Sequence, residues 1–246
     1  MWYKSFFVLG LIFIFILIYN AVLSFLFFYH PDWDLKISNY FFNGSEFIAA
    51  HSVFLNQLRF LMNVLIWSLG GVIFLLFIIL FFKKINNLYI SHVFHISQRA
   101  CLYLLFCFLM GPGVVTNLIL KNHMGQPRPA EIINFGGSLV YQKVWEVSSA
   151  CPTNCAFVCG DCASVFILFA FLPLLIRKKY YLFSFLLGLV ISFAALGMGW
   201  IRIAQGGHFL SDVLLSYGIN ALVIWVGYIL FFIFSRPRVG LVIDLG

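Results

Sequence analysis

Three short stretches of this chain carry residue types that its long apolar runs lack: Lys121-Asn-His-Met-Gly-Gln-Pro-Arg128-Pro129, Cys159-Gly160-Asp161, and Arg202-Ile-Ala-Gln-Gly-Gly-His208-Phe-Leu-Ser-Asp212. Lys121, Arg128 and Arg202, if brought together, form a receptor for a multiply charged oxyanion. Guanidinium forks match phosphate oxygens and stabilise the charge spread over them during phosphoryl transfer. His208 and Asp212 are four residues apart, which on a helix stacks them on one face with about 5 to 6 Å between Cβ atoms. Asp212 can then accept the Nδ1 proton of the imidazole, leaving Nε2 as a nucleophile and stabilising the cation that forms on attack at phosphorus. A covalent phosphohistidine is the natural intermediate. Gly206 and Gly207, directly before His208, allow close approach of backbone to a phosphate.

These residues must be positioned by membrane-spanning helices. Hydrophobic residues make up 63% of the 246, charged residues only 9%, and the mean hydropathy is +1.03. Such a composition belongs in a bilayer. The formal net charge of +7 does not point to nucleic acid, because the Lys and Arg lie between apolar runs instead of on a soluble face. Runs near the 20 residues needed to cross about 30 Å of hydrocarbon predict six helices, approximately Phe6 to Phe28, Phe60 to Phe82, Ala100 to Leu120, Phe157 to Ile176, Tyr181 to Trp200 and Asp212 to Phe234. The first is longer than the apolar core of a cleaved signal and has no clear small-x-small cleavage site after it, so it is expected to be retained. The fold class expected is therefore all-α, a polytopic six-transmembrane-helix bundle formed by a single domain over residues 1–246.

If the helices alternate, Lys4, Lys83, Lys84, Arg99, Arg177, Lys178, Lys179, Arg236 and Arg238 share one side, which the retention of positive charge makes cytoplasmic along with both termini. Lys36, Arg59, Lys121, Arg128, Lys143 and Arg202 lie on the other, and the three chemistry-bearing stretches with them. Snorkelling at helix ends explains a basic residue singly, but not His208 and Asp212 beside three cations, so a functional site is the default reading. Two outer loops are long, roughly His30 to Arg59 and Lys121 to Ala156. In the first, Trp33, Ile37, Tyr40 and Phe41 make an apolar stripe beside Asp32, Asp34 and Lys36, which predicts a short helix lying in the interface. Gly111-Pro112-Gly113 predicts a kink or break in the third helix.

The three stretches resemble the motifs of the type 2 phosphatidic acid phosphatase superfamily, K-x6-R-P, P-S-G-H and S-R-x5-H-x3-D. Lys121, Arg128 and Pro129 meet the first, and Arg202, His208 and Asp212 the third, with Ile201 in place of its leading Ser. The resemblance implies a six-helix fold, phosphate contacts from Lys121, Arg128 and Arg202, and a reaction through phosphohistidine that needs no metal or other cofactor. The second motif departs: Cys159-Gly160-Asp161 stands where the family has Ser-Gly-His. Cys159 and Gly160 then fall at phosphate-binding positions, and Asp161 where a histidine would protonate the leaving oxygen. Asp161 is expected to take that role if burial outweighs the neighbouring Arg128, Arg202 and Lys121. If the cations win, it is ionised and orients a lysine, an arginine or a substrate hydroxyl.

Cys155-Ala-Phe-Val-Cys-Gly-Asp161 and Gln205-Gly-Gly-His-Phe209 further resemble the branch containing bacterial lipid A 4'-phosphatases. That implies a lipid phosphomonoester as substrate at the periplasmic face of the inner membrane, with lipid A the leading candidate. Undecaprenyl diphosphate, phosphatidylglycerophosphate and phosphatidic acid are the alternatives. From a different class, the chain could be a transporter or a non-catalytic lipid-binding protein that kept an anion site; a transporter would place its polar residues near the bilayer midplane, whereas these cluster at helix ends. No protein partner is expected. Cys101 and Cys107 read as buried thiols, while Cys151, Cys155, Cys159 and Cys162 lie in the outer region, where an oxidising compartment favours a Cys151 to Cys155 disulfide.

Overall fold

The protein is described by a computed structural model covering residues 2–85 and 97–234, with side chains described over 7–82 and 97–234. Among the described residues, six helices are long and apolar enough to cross a membrane. We number the helices α1 (Trp2–Tyr29), α2 (Asp32–Asn39), α3 (Val53–Ile85), α4 (Gln98–His123), α5 (Gly160–Arg177), α6 (Tyr181–Ala204) and α7 (Leu210–Phe234), of which all but α2 span. Each spanning stretch begins or ends within a few residues of the expected one except α3, which starts seven residues earlier, at Val53. The extension matters, because it carries Asn56 and Arg59, with Asn63 one turn further on.

The core runs along α7, whose buried Ser211, Asp212, Leu215, Ser216 and Asn220 face the interior. α1 packs along it, with Tyr19 donating to the Leu214 carbonyl (3.1 Å), Trp225 donating to the Leu9 carbonyl (3.1 Å), and Phe13 stacked on Trp225. Tyr103, Cys107, Val165, Ile167 and Met198 from α4, α5 and α6 complete a dry interior. The opposite surfaces expose Phe7, Phe15, Phe60, Leu65, Phe185 and Phe193, an apolar exterior whose solvent is hydrocarbon. Cys101 and Cys107 are buried free thiols, as read from the sequence.

α4 is not broken at Gly111-Pro112-Gly113. It widens instead into a π-helical stretch, Leu109–Leu120, with Pro112 inside. Proline removes a backbone donor, and the Pro112 carbonyl is satisfied by the Asn117 side chain at 2.7 Å, so the wider turn absorbs the irregularity without interrupting the span. Gly111 lies where a Cβ would meet Asn220 Oδ1 at 2.5 Å, so α4 and α7 approach closely there.

α2 forms over the expected segment, and Trp33 and Tyr40 remain exposed on it. Asp34, read as part of its polar flank, is in fact fully buried against the start of α7. The side chains of Lys4, Lys83 and Lys84, and the residues His92, His95, Arg236 and Arg238, lie outside the described residues.

Candidate active site

The end of α4, the start of α5, the end of α6 and the start of α7 meet at one end of the bundle, and the four helix termini gather the predicted residues. The α6 to α7 connection is tight. Gly206 adopts φ +66°, and a Cβ there would overlap the Phe47 ring, while a Cβ on Gly207 would overlap Arg202 Nη2. Glycine at both positions is what lets the loop fold back over the Arg202 guanidinium and present His208. Phe209 then donates its N–H to Asp212 Oδ2 at 2.9 Å, closing the first turn of α7.

His208 Nδ1 stands 3.6 Å from Asp212 Oδ2, with both side chains buried. The approach is slightly longer than a hydrogen bond, a separation that catalytic pairs commonly close when substrate binds. Burial holds the His208 pKa well below 6.5, and the positive charges of Arg202, Lys121 and Arg128 push it the same way. The imidazole is therefore neutral at physiological pH, the state a nucleophile needs. The three cations expected to receive an anion thus also help keep the imidazole unprotonated.

This shift has a consequence for stability. The unfolded histidine takes up a proton as pH falls through about 6.5, but the folded one does not, so proton binding favours the unfolded chain below that pH. Buried acids such as Asp34 act in the opposite sense over this range, so the prediction is a difference: between pH 7 and pH 5 the unfolding temperature in detergent should shift downward in wild type relative to His208→Gln, which has no such proton to gain. Equal shifts in the two proteins, measured by fluorescence melting, would contradict a buried neutral His208.

The clamp residues are each held by neighbours. Lys121 Nζ donates to Asn154 Oδ1 (3.3 Å) and Arg128 Nη2 to the Asn154 carbonyl (2.9 Å). Asn154 has φ +52° and sits in the loop that Cys151 and Cys155 close as a disulfide, their Cα atoms 5.7 Å apart. Arg202 is nearly fully buried. Its Nη1 donates to Gln205 Oε1 at 2.8 Å, and Gln205 donates in turn to Asn56 of α3. Its Nε lies 3.0 Å from Asp161 Oδ2, an ion pair in which the N–H is not aligned for a hydrogen bond. The remaining Nη2 faces Gly207 and the His208 loop.

Asp161 is thus tied into the cationic cluster. Beyond Arg202, its Oδ2 lies 3.8 Å from Arg59 Nη1, and its Oδ1 accepts from Asn63 Nδ2 at 2.9 Å. Arg59 and Asn63 come from α3, and nothing in the local sequence marked them; they were visible only as a basic and a polar residue near the start of an apolar run. At Cys159 the N–H donates to the Asp212 carbonyl (3.2 Å) and the sulfur is joined to Cys162, so its backbone braces α5 against α7. Gly160 opens α5, and a Cβ there would meet Asn117 Oδ1 at 2.6 Å. His123, by contrast, is exposed and donates Nδ1–H to the Ile119 carbonyl (2.7 Å).

The pattern of the PAP2 superfamily matches residues 100–236, which include every one of these predicted site residues. The chain belongs to the PAP2 superfamily. Among its relatives, the lipid A 4'-phosphatase of Francisella tularensis subsp. novicida is 34% identical over 204 residues, 82% of this chain and 87% of the relative. The lipid A 4'-phosphatase of Rhizobium etli is 35% identical over 119 residues, 48% of this chain and 44% of the relative. The fold is shared with a transmembrane PAP2 type phosphatidylglycerolphosphate phosphatase from Bacillus subtilis, at 17% identity and a TM-score of 0.56, covering 94% of this chain and 98% of that one.

Proposed function

We propose that this PAP2 superfamily member is a lipid phosphatase that removes the 4'-phosphate of lipid A at the periplasmic face of the bacterial inner membrane, acting as a single six-helix unit through a phosphohistidine on His208. The observation that carries the reading is a buried imidazole 3.6 Å from Asp212, with Lys121, Arg128 and Arg202 near enough to bear on its charge. Substrate phosphate oxygens would occupy the three cations, replacing the Asn154 contacts of Lys121 and Arg128. Nε2 of His208 then attacks phosphorus as the bond from phosphorus to the sugar 4' oxygen breaks, that oxygen leaves as a hydroxyl with a proton from water, and Asp212 supports the imidazolium that develops. Water releases phosphate in a second step.

The relatives' names favour lipid A among lipid phosphomonoesters, and the apolar exterior favours a substrate that arrives from the bilayer. Arg99, Arg177, Lys178 and Lys179 lie at the bundle end opposite the site, which supports a cytoplasmic placement for that end and a periplasmic one for the site. The two disulfides at the site end, Cys151–Cys155 and Cys159–Cys162, agree with an oxidising compartment.

Mass spectrometry of lipid A from cells with and without the gene tests the substrate. The account expects an added phosphate on lipid A in the deleted strain, placed by fragmentation on the distal sugar. Unchanged lipid A, with undecaprenyl diphosphate or phosphatidylglycerophosphate accumulating instead, would overturn lipid A as the substrate and leave the phosphatase chemistry standing.

A further inference from the structure

Asp34 is a buried carboxylate outside the site's own motifs. It sits on α2, in the first outer loop, with its side chain fully enclosed. Its Oδ1 accepts the backbone N–H of Ser211 at 2.9 Å, and its Oδ2 accepts the Ser211 hydroxyl at 2.5 Å and the Tyr141 hydroxyl at 3.3 Å. No salt bridge accompanies it among the described residues. A carboxylate buried without a cation is costly, and here only hydrogen bonds and the positive end of α7 offset that cost. Burial pushes its pKa up to about 6, against the opposing pull of the Ser211 hydrogen bonds.

What Asp34 holds is next to the chemistry. Ser211 lies in the first turn of α7, between Phe209, whose N–H binds Asp212, and Asp212 itself. Tyr141 packs its ring edge-on against Phe209, with centroids 5.1 Å apart, and Phe209 is the residue after His208. One carboxylate from the first outer loop therefore fastens both the helix start that carries Asp212 and the aromatic prop behind the nucleophile loop.

We infer that Asp34 is a positioning residue for the phosphoryl transfer proposed above, fixing the bearing of His208 against Asp212 through Ser211 and Tyr141 without touching substrate. A misplacement of about 1 Å in a catalytic group costs on the order of 10²-fold, so the loss belongs in the chemical step and not in phosphate binding. Two probes separate these. Orthovanadate can take the attacking nitrogen as a fifth ligand and so reports the nucleophile's placement, whereas inorganic phosphate relies on the cations.

The test uses the full chain in detergent. Asp34→Ala should lower kcat about 30-fold with KM within about threefold of wild type, weaken inhibition by orthovanadate about tenfold, and leave inhibition by phosphate unchanged. Asp34→Asn keeps an oxygen for the Ser211 N–H and offers an amide to the Ser211 hydroxyl, so it should recover kcat to within about fivefold. If the alanine variant does not fold, Ser211→Ala decides by the same probes, with kcat expected about fivefold lower. An unchanged kcat, or equal weakening of vanadate and phosphate, overturns the inference. A wild-type protein that releases no phosphate from any lipid would count against the proposed function instead, and vanadate and phosphate affinities measured by titration calorimetry on wild type and Asp34→Ala would still judge Asp34.

Discussion

Replacing His208 by alanine is expected to lower phosphate release by about 10⁴-fold or more while the protein still inserts and still binds an anion. The magnitude follows from the loss of covalent catalysis with the clamp intact: Lys121 and Arg128 are held by Asn154, and Arg202 by Gln205 and Asp161, none of them through the imidazole. Competitive inhibition by inorganic phosphate should therefore survive the substitution. Asp212→Asn should be milder, about 10²- to 10⁴-fold, because the imidazole remains but loses the carboxylate that sets its tautomer and supports its charge. Chelators should change neither variant nor wild type. An activity that needed added divalent metal would replace the phosphohistidine with a metal mechanism.

Asp161→Asn is the second large effect, and its pattern matters more than its size. Both oxygens of Asp161 are engaged, by Arg202, Arg59 and Asn63, in an arrangement suited to a carboxylate that orients an arginine. With Nε and Nη1 of Arg202 facing Asp161 and Gln205, Nη2 is left turned to the His208 loop, where a phosphate oxygen would lie. Substitution should cost about 10²-fold on the lipid and about the same on an aryl phosphate at saturating concentration, because the arginine serves both substrates. The proton for the leaving oxygen then comes from water. A loss confined to the lipid, whose alkoxide leaves poorly, would instead make Asp161 the general acid.

The six spans were legible because their apolar runs match bilayer thickness, and the motif spacings singled out Lys121, Arg128, Arg202, His208 and Asp212, although the helical face expected for His208 with Asp212 is not what joins them, since His208 precedes the start of α7 at Leu210. What escaped the sequence came from across the bundle. Arg59 falls in the seven residues that α3 adds before its apolar run, where a span read from hydropathy stops, and Asn63 is a single polar residue inside that run with no local sign of its partner across the bundle. Asp34 was placed on a solvated flank by helical periodicity, yet a buried donor pair on α7 claims it, and no local pattern reports a partner 177 residues away. Gly111-Pro112-Gly113 was rightly read as a disturbance. Its form depended on Asn117 being in reach of the Pro112 carbonyl. Cys151 and Cys155 pair as expected, but the Cys159–Cys162 pairing was missed because Cys159 was read as a phosphate contact and no partner was sought for it.

The central claim is that phosphorus is carried on His208. Rapid acid-free quenching of the purified protein with lipid A labelled with ³²P at the 4' position tests it directly. The account predicts a protein-bound label that is stable to alkali and lost in acid, chased by excess unlabelled substrate, mapped to the peptide containing His208, and absent from His208→Ala. Phosphate released at the full rate with no label on the protein, or a label on another residue, would contradict it.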